Sequence, residues 1–184
     1  MAIKALFRAE DLLGIQSLTG RKYELVRGEL YEMVTTLRHG AVTGQICRLV
    51  ANWNDGAQAG IVTTDGGYHL ERDPDTVRGP DVSFVRKGRL TKYQTRHGFP
   101  DIAPDVAFEV RSPNDTWADL VRKAHEYLGA GVQMVVLAEA DEFLEVYRPG
   151  VEPQRLGLDD VLDGADALPG FSCRVRDLFP AEYT

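Results

Sequence analysis

The most constraining feature of the sequence is an apolar strand, an amphipathic helix and a second apolar strand in succession between residues 105 and 140. The first strand, DVAFEVRS, alternates apolar and polar residues, the period expected of a half-buried strand. A helix is predicted from about Thr116 to Ala130, since apolar residues recur along one side of it. The following VQMVVLAEA is apolar enough to predict a buried central strand.

Further elements are predicted on both sides of this segment. They are a helix over Ala9–Ser17, a hairpin over Tyr23–Val34 turning at Arg27-Gly28, a helix over His39–Ala57, a hairpin over Ile61–Glu71 turning at Asp65-Gly66-Gly67, a loop over Asp73–Pro80, a strand over Asp81–Arg86, a strand in FLEVYRPG and short strands in the tail. This order predicts a mixed central sheet flanked by helices, of the α/β or α+β class, with extra β-hairpins. One domain over residues 1–184 is expected from the length.

Composition excludes several classes of protein. With 43% hydrophobic and 27% charged residues, the chain is not a disordered one. No apolar run is long enough for a membrane span, and the first residues lack the pattern of a secretory signal. Cys47 and Cys173 cannot form a disulfide framework and have no zinc-site spacing. A cytoplasmic protein without membrane association is therefore expected.

The charge of the chain is unevenly distributed. The net charge is −7 and the pI is about 5.1, which excludes a surface covered in nucleic-acid-binding cations. One stretch nevertheless carries five cations and no acid: Arg86, Lys87, Arg89, Lys92 and Arg96. This basic run is either a phosphate-binding surface or ordinary solvated surface, and the sequence leaves both interpretations open.

Two acidic residues on predicted strands are the main candidates for chemistry. The chain has no phosphate-binding glycine loop, no nucleophile elbow and no zinc motif. Asp81 begins the strand in GPDVSFV, and Glu109 lies inside DVAFEVRS, where a carboxylate is costly unless it is paired or binds a cation. If the two strands are neighbours, both carboxylates enter one space, and this suits Mg²⁺ or Mn²⁺. The alternative is that Glu109 pairs with a nearby cation and Asp81 caps a turn.

The helix after Glu109 adds polar residues at a spacing of four. Asp119, Lys123 and Tyr127 follow one another along it, with Lys123 and Tyr127 at the flank of the apolar stripe. A lysine there can reach the end of the Glu109 strand and stabilise charge on a phosphate. The alternative is a surface ion pair between Asp119 and Lys123.

The combination of these motifs resembles a known family. GPDVSFV, then DVAFEVRSPNDTWADLVRKAHEYLGAGV, with YELVRGELYEM and a helix near His39 before them, is similar to the Uma-type family of restriction endonucleases in the PD-(D/E)XK nuclease superfamily. The similarity runs from about Tyr23 to Arg148, and more weakly to LPGFSCRVRDLF. It implies a restriction-endonuclease-like mixed sheet with flanking helices, and homodimers are common among such folds.

The resemblance also implies roles for individual residues. Asp81 and Glu109 match the acids of the motif and would hold Mg²⁺ or Mn²⁺, together with the main-chain carbonyl of Val110. The lysine position of the motif is Arg111 here, which is counted with the catalytic residues although a guanidinium is a poor proton donor near neutrality. In the family, the lysine role has moved to the following helix, at Lys123.

Accessory roles follow from the same resemblance. Glu24 or Glu29 of the first hairpin would approach the metal ion, and His39 matches a histidine at the start of the first core helix. The alternative for His39 is an N-terminal helix residue that pairs with a neighbouring carboxylate. Asp119 and Tyr127 complete the accessory set.

The leading hypothesis is a metal-dependent endonuclease that hydrolyses DNA phosphodiester bonds and contacts backbone phosphates through the basic run. The competing hypothesis is a non-catalytic nucleic-acid-binding or structural protein on a nuclease-like scaffold, favoured by the acidic pI and by Arg111. A third is a hydrolase of small phosphodiesters.

Overall fold

The computed structural model describes residues 6–181 of the chain. Three helices and twelve strands follow one another in these residues, with a 3₁₀ turn near the end. They are α1 (Ala9–Thr19), β1 (Tyr23–Val26), β2 (Glu29–Glu32), α2 (Leu37–Ala57), β3 (Gly60–Thr64), β4 (Tyr68–Glu71), β5 (Thr76–Arg78), β6 (Val82–Arg86), β7 (Val106–Val110), α3 (Trp117–Gly129), β8 (Met134–Glu139), β9 (Phe143–Arg148), β10 (Val151–Gly157), β11 (Val161–Asp163), β12 (Ser172–Arg174) and the turn Val175–Leu178.

A six-stranded mixed sheet forms the centre of the fold, in the order β10-β9-β8-β7-β6-β3. Neighbouring strands are antiparallel except β7 and β8, which are parallel. A parallel pair needs a crossover connection, and α3 provides it between these two strands. The predicted mixed sheet flanked by helices is confirmed.

The alternation in β7 directs its side chains to two different cores. Val106, Phe108 and Val110 face the core that contains α2, whereas Ala107 packs in the core that contains α3. All five residues of β7 are buried, so the strand is covered on both faces. Glu109, on the face of Ala107, therefore projects towards α3.

A smaller antiparallel sheet, in the order β2-β1-β5-β4, carries the predicted first hairpin. Its turn residues, Arg27 and Gly28, have φ angles of 49° and 79°, as the tight turns of two-residue hairpins require. Leu12 of α1 packs against Leu25 and Val77 on one face of this sheet. The hairpin over Tyr23–Val34 is confirmed.

The predicted second hairpin is wrong. β3 pairs with β6 in the large sheet, whereas β4 pairs with β5 in the small sheet, so the turn at residues 65–67 connects two sheets. The predicted loop over Asp73–Pro80 also contains β5. Turn chemistry and alternation are local signals, but the partner of a strand depends on which residues the tertiary structure buries, and here Tyr68 and Val77 are both buried.

No helix among residues 6–181 is long and apolar enough to cross a membrane.

The close approach of β3 to β6 generates a stability prediction. A Cβ atom at Gly60 would lie 2.1 Å from the carbonyl oxygen of Val85, an atom that only backbone movement can displace. We expect Gly60→Ala to lower the free energy of unfolding by about 1–3 kcal/mol, as overpacking does elsewhere. Urea unfolding followed by circular dichroism measures the change.

The matched control is Gly44→Ala on the exposed side of α2, where no atom lies within 4 Å of the added Cβ. This substitution should raise the stability by about 0.5–1 kcal/mol, because alanine favours a helix over glycine. Equal effects of the two substitutions would contradict the predicted steric origin.

Candidate functional site

The register of β6 and β7 brings the two candidate acids together. Val82 lies opposite Phe108, so Asp81, one residue earlier, lies opposite Glu109, one residue later. Residues opposite each other in an antiparallel pair project to the same side of the sheet. The predicted convergence of Asp81 and Glu109 therefore follows from their positions on these strands.

Three buried carboxylates line one cavity of about 290 Å³ at this end of the large sheet. Glu24, Asp81 and Glu109 are only 5%, 2% and 4% exposed. Glu24 comes from β1 of the small sheet, so the cavity lies where the two sheets meet. Its complete lining carries six carboxylates against two arginines and one lysine, which makes it an acidic site.

Two residues of α3 hold Glu109 in place. Lys123 Nζ donates a hydrogen bond to Glu109 Oε2 at 2.9 Å, and Tyr127 Oη donates to Glu109 Oε1 at 2.7 Å. Tyr127 is fully buried, although the sequence placed it at the flank of the apolar stripe. The predicted reach of Lys123 to the end of the Glu109 strand is present.

Lys123 is shared with a second carboxylate, that of Glu24. Its Nζ lies 3.0 Å from Glu24 Oε1, and Arg78 Nη1 donates to Glu24 Oε2 at 2.7 Å. The Gly79 amide also donates to Glu24 Oε1, at 3.0 Å. Arg78 Nε donates to Glu126 Oε2 of α3 at 2.9 Å, so this arginine links β1, β5 and α3.

Nothing in the sequence marks Arg78 as a site residue. The residue lies in a segment that was predicted to be a loop, and no motif marks it. The sequence shows only a lone cation between Val77 and Gly79, three residues before Asp81. This context does not show which residues Arg78 contacts.

Asp81 is held by the main chain of β7 and by His39. Its Oδ2 accepts a hydrogen bond from the Val110 amide at 2.7 Å and lies 3.2 Å from His39 Nε2. Thr36 caps α2 by accepting from the His39 amide, which fixes the histidine in the first turn. His39 therefore does pair with a neighbouring carboxylate, and that carboxylate is Asp81.

The crowding of charge shifts the pKa values of the cluster. Burial raises the pKa of Glu109 to about 8, and the carboxylates of Asp81 and Glu24 add to the shift while Lys123 opposes it. Burial alone would lower the pKa of Lys123, but Glu109 and Glu24 raise it, so the ammonium remains charged. Burial likewise lowers the pKa of His39, but the hydrogen bond and charge of Asp81 outweigh it and raise the pKa.

The donor set of the cavity fits Mg²⁺ or Mn²⁺. Asp81 Oδ1 accepts no hydrogen bond from residues 6–181, and each oxygen of Glu109 accepts only one, which leaves lone pairs for a cation. Val110, whose carbonyl was predicted as the third ligand, also lines the cavity. No three His, Cys, Asp or Glu side chains of the described residues form a ready-made cage. Such a site suits Mg²⁺, which binds through one or two carboxylates and keeps several waters.

Several predicted site residues lie apart from the acid cluster. Arg111 is exposed and pairs with Glu139, with 2.7 Å between Nη1 and Oε2, and it does not line the cavity. Asp119 lies at the rim, where it caps α3 with Thr116 and pairs with Arg122 instead of Lys123.

Of the two hairpin acids, Glu24 lies in the cavity and Glu29 does not. In the ladder of β1 and β2, Glu24 lies opposite Tyr31, whereas Glu29 lies opposite Val26, beside the hairpin turn. Glu29 is therefore outside the lining of the cavity.

Arg86 and Arg89 of the basic run lie at the other end of the large sheet. Arg86 ends β6 five residues after Asp81, which corresponds to about 17 Å along a strand. Arg89 pairs with Asp105 at 2.7 Å, and Lys87, Lys92 and Arg96 are exposed in the connection that follows. Contact between these residues and DNA stays a prediction, but the fold does not bring them to the acid cavity.

The sheet order and flanking helices have a counterpart among solved structures. The chain has a TM-score of 0.76 with a crystal structure described as "a putative nuclease belonging to DUF820" from Anabaena variabilis ATCC 29413. The two share 20% identity over 88% of this chain and 91% of the other, a likeness that concerns the fold alone. A cryoEM structure of a DrdV–DNA complex matches with a TM-score of 0.45 and 16% identity, over 82% of this chain and 12% of that one.

The chain belongs to the Uma2 family, described as "Putative restriction endonuclease", whose profile matches residues 9–176. No sequence among the curated proteins matches it significantly.

The raised pKa of Glu109 predicts a pH dependence of stability. Above the ordinary carboxyl pKa of 4.5 an unfolded chain has lost this proton, whereas the folded protein retains it up to about pH 8. The folded state binds more protons in this window, so its stability should fall as pH rises, by roughly 1 kcal/mol per pH unit. Urea unfolding in EDTA at pH 5, 6, 7 and 8 measures this.

His39 acts in the same direction. Because its pKa is raised in the folded state, the protonated imidazole stabilises the fold at lower pH, and this stabilisation is lost as the pH rises through that pKa. Glu109→Gln isolates the carboxyl: its stability curve should be flatter than that of the wild type. Glu152→Gln, an exposed change on β10, should leave the slope as it is. Parallel curves for all three proteins would rule out the raised pKa.

Proposed function

We propose that this protein is a metal-dependent endonuclease that hydrolyses DNA phosphodiester bonds in the acid cavity between its two sheets. The observation that carries the proposal is the convergence of Asp81, Glu109 and Lys123 on that cavity. Membership of a family described as restriction endonucleases supports a nuclease.

Mg²⁺ or Mn²⁺ would be held by Asp81, Glu109 and the main-chain carbonyl of Val110, with the Glu24 carboxylate beside them. When bound, such an ion supplies Lewis-acid stabilisation of phosphoryl charge and activation of water. The acidic lining of the cavity favours a divalent cation electrostatically.

The remaining polar residues position these groups. Lys123 stays protonated, so it offers positive charge and hydrogen-bond donors to a phosphate and does not act as a base. Burial raises the pKa of the Tyr127 phenol well above its usual value, so it remains a donor and fixes the orientation of Glu109. His39 does the same for Asp81.

The non-catalytic alternative loses one of its arguments. Arg111 at the lysine position of the motif favoured it, but the cation beside Glu109 is Lys123, and Arg111 faces away towards Glu139. The hypothesis of a small-phosphodiester hydrolase gains support, since none of the five cations of the basic run lines the acid cavity. Cleavage of single-stranded, duplex and branched DNA, compared with bis(p-nitrophenyl) phosphate, separates the substrate classes.

Cytoplasmic location and homodimer formation stay predictions of the sequence.

Glu109→Gln should weaken Mn²⁺ binding at least about tenfold and abolish cleavage, because loss of a ligand costs no less than loss of an outer-shell partner. Calorimetry measures the affinity and a gel assay measures the cleavage. The control, Glu152→Gln, should behave as wild type. Unchanged Mn²⁺ affinity in Glu109→Gln would remove Glu109 from the metal site.

Lys123→Ala should separate charge stabilisation from metal binding. Removing the ammonium leaves the cavity more acidic, so Mn²⁺ affinity should be retained or tighter, while cleavage should fall roughly a hundredfold or more. Arg48→Ala, an exposed cation of α2 that interacts with Gln45, is the control and should cleave normally. A normal cleavage rate in Lys123→Ala would assign the lysine a structural role only.

A further inference from the structure

A second charged cavity lies at the end of the large sheet opposite the acid cluster. Its volume is about 560 Å³. Arg86 at the end of β6, Arg148 at the end of β9 and Asp105 just before β7 line it. Because Asp81 and Arg86 are at opposite ends of β6, this basic cavity is separate from the acid cavity by about the length of a strand.

The basic cavity carries an excess of positive charge in an acidic protein. Three guanidinium groups, those of Arg86, Arg89 and Arg148, face two carboxylates, Asp105 and Asp166. Asp105 pairs with Arg89 at 2.7 Å and lies 3.8 Å from Arg86 Nε, beyond hydrogen-bond distance. One carboxylate is thus divided between two cations.

Main-chain carbonyls, which carry no net charge, hold two of the three arginines. Arg86 Nη2 donates to the carbonyl of Asp166, and Arg148 Nη2 donates to the carbonyl of Asp163 at 2.7 Å. Among residues 6–181, Arg148 has no carboxylate within ion-pair distance. These bonds orient the two guanidinium groups without compensating their charge, so Arg86 has only its share of Asp105 and Arg148 has no carboxylate partner among the described residues.

The donors of Arg148 are poorly satisfied. Its Nε is buried without a hydrogen-bond partner in the described part of the chain, and Nη2 also contacts the weak acceptor Met134 Sδ at 3.5 Å. Buried donors are nearly always paired, so this guanidinium is held by fewer acceptors than it can use.

Small residues keep the cavity open. Gly131, Ala165 and Ala167 form part of its wall, where longer side chains would fill the space in front of the arginines.

We propose that this cavity binds a phosphate group through Arg86, Arg89 and Arg148, independently of the acid cavity. The planar fork of a guanidinium matches two phosphate oxygens, and three such groups around one space match a tetrahedral dianion or diester. The phosphate belongs either to a nucleic-acid backbone or to a small phosphorylated molecule. The site gives Arg86 and Arg89 of the basic run a role away from the acid cluster.

Two probes, pyrophosphate and a fluorescein-labelled thymidine hexanucleotide, test the site on the full chain in EDTA. Calorimetry follows the first probe and fluorescence anisotropy the second. Arg86→Ala combined with Arg148→Ala should weaken binding about tenfold or more, as expected when charge-assisted hydrogen bonds are lost. Arg176→Ala, which removes one positive charge at an exposed pair with Asp159, is the control and should bind as wild type.

Arg86→Glu is the second variant and keeps Arg148 in place. It tests the site even if the loss of Arg148 impairs folding, because the Arg86 side chain is exposed. Glu109→Gln should retain binding, since it alters the other cavity. Binding of both probes or of one supports the site. Binding of pyrophosphate alone identifies a small phosphorylated molecule as the source of the phosphate, and binding of the oligonucleotide alone identifies nucleic acid. Binding of both probes means that either source can supply it. Absence of binding, or an equal loss in Arg86→Glu, Arg176→Ala and Glu109→Gln, overturns the proposal.

Discussion

The Lys123 ammonium lies between two buried carboxylates and joins the two sheets of this protein. It contacts Glu24 of the small sheet and Glu109 of the large sheet at 3.0 and 2.9 Å, while its own helix connects the parallel strands β7 and β8. Arg78 adds a second link, from β5 to Glu24 and α3. Removing one partner of such a network leaves a buried charge without compensation, which typically costs about 3–5 kcal/mol. The position of the small sheet over the acid cavity depends on these contacts.

The same network contains more carboxylates than cations, and this excess connects the stability of the fold to the chemistry of the site. Glu24 and Glu109 share the ammonium of Lys123, Arg78 pairs with both Glu24 and Glu126, and Asp81 pairs with His39. Buried carboxylates in this number oppose folding, and the raised pKa of Glu109 expresses the cost. Strongly perturbed groups of this kind concentrate at functional sites, in agreement with membership of a restriction endonuclease family.

The direction of the strands explains why the fold has two charged cavities rather than one. Asp81 and Arg86 are only five residues apart in the sequence. An extended strand separates its two ends by more than 3 Å per residue, so β6 places its acid and its first arginine at opposite edges of the sheet. Arg86 and Arg89 therefore gather with Arg148 and not with the acids.

The sequence by itself determined the strand–helix–strand centre, the first hairpin and the faces of β7, because period, turn chemistry and burial of apolar side chains are local properties. It also singled out Asp81, Glu109 and Lys123 as candidates, and the structure brings all three to one cavity. Tertiary structure alone decided that β3 and β4 join different sheets and that Arg78 completes the acid cluster. Both outcomes depend on contacts between residues distant in the chain, and such contacts are set by which surfaces are buried together and leave no mark on local periodicity.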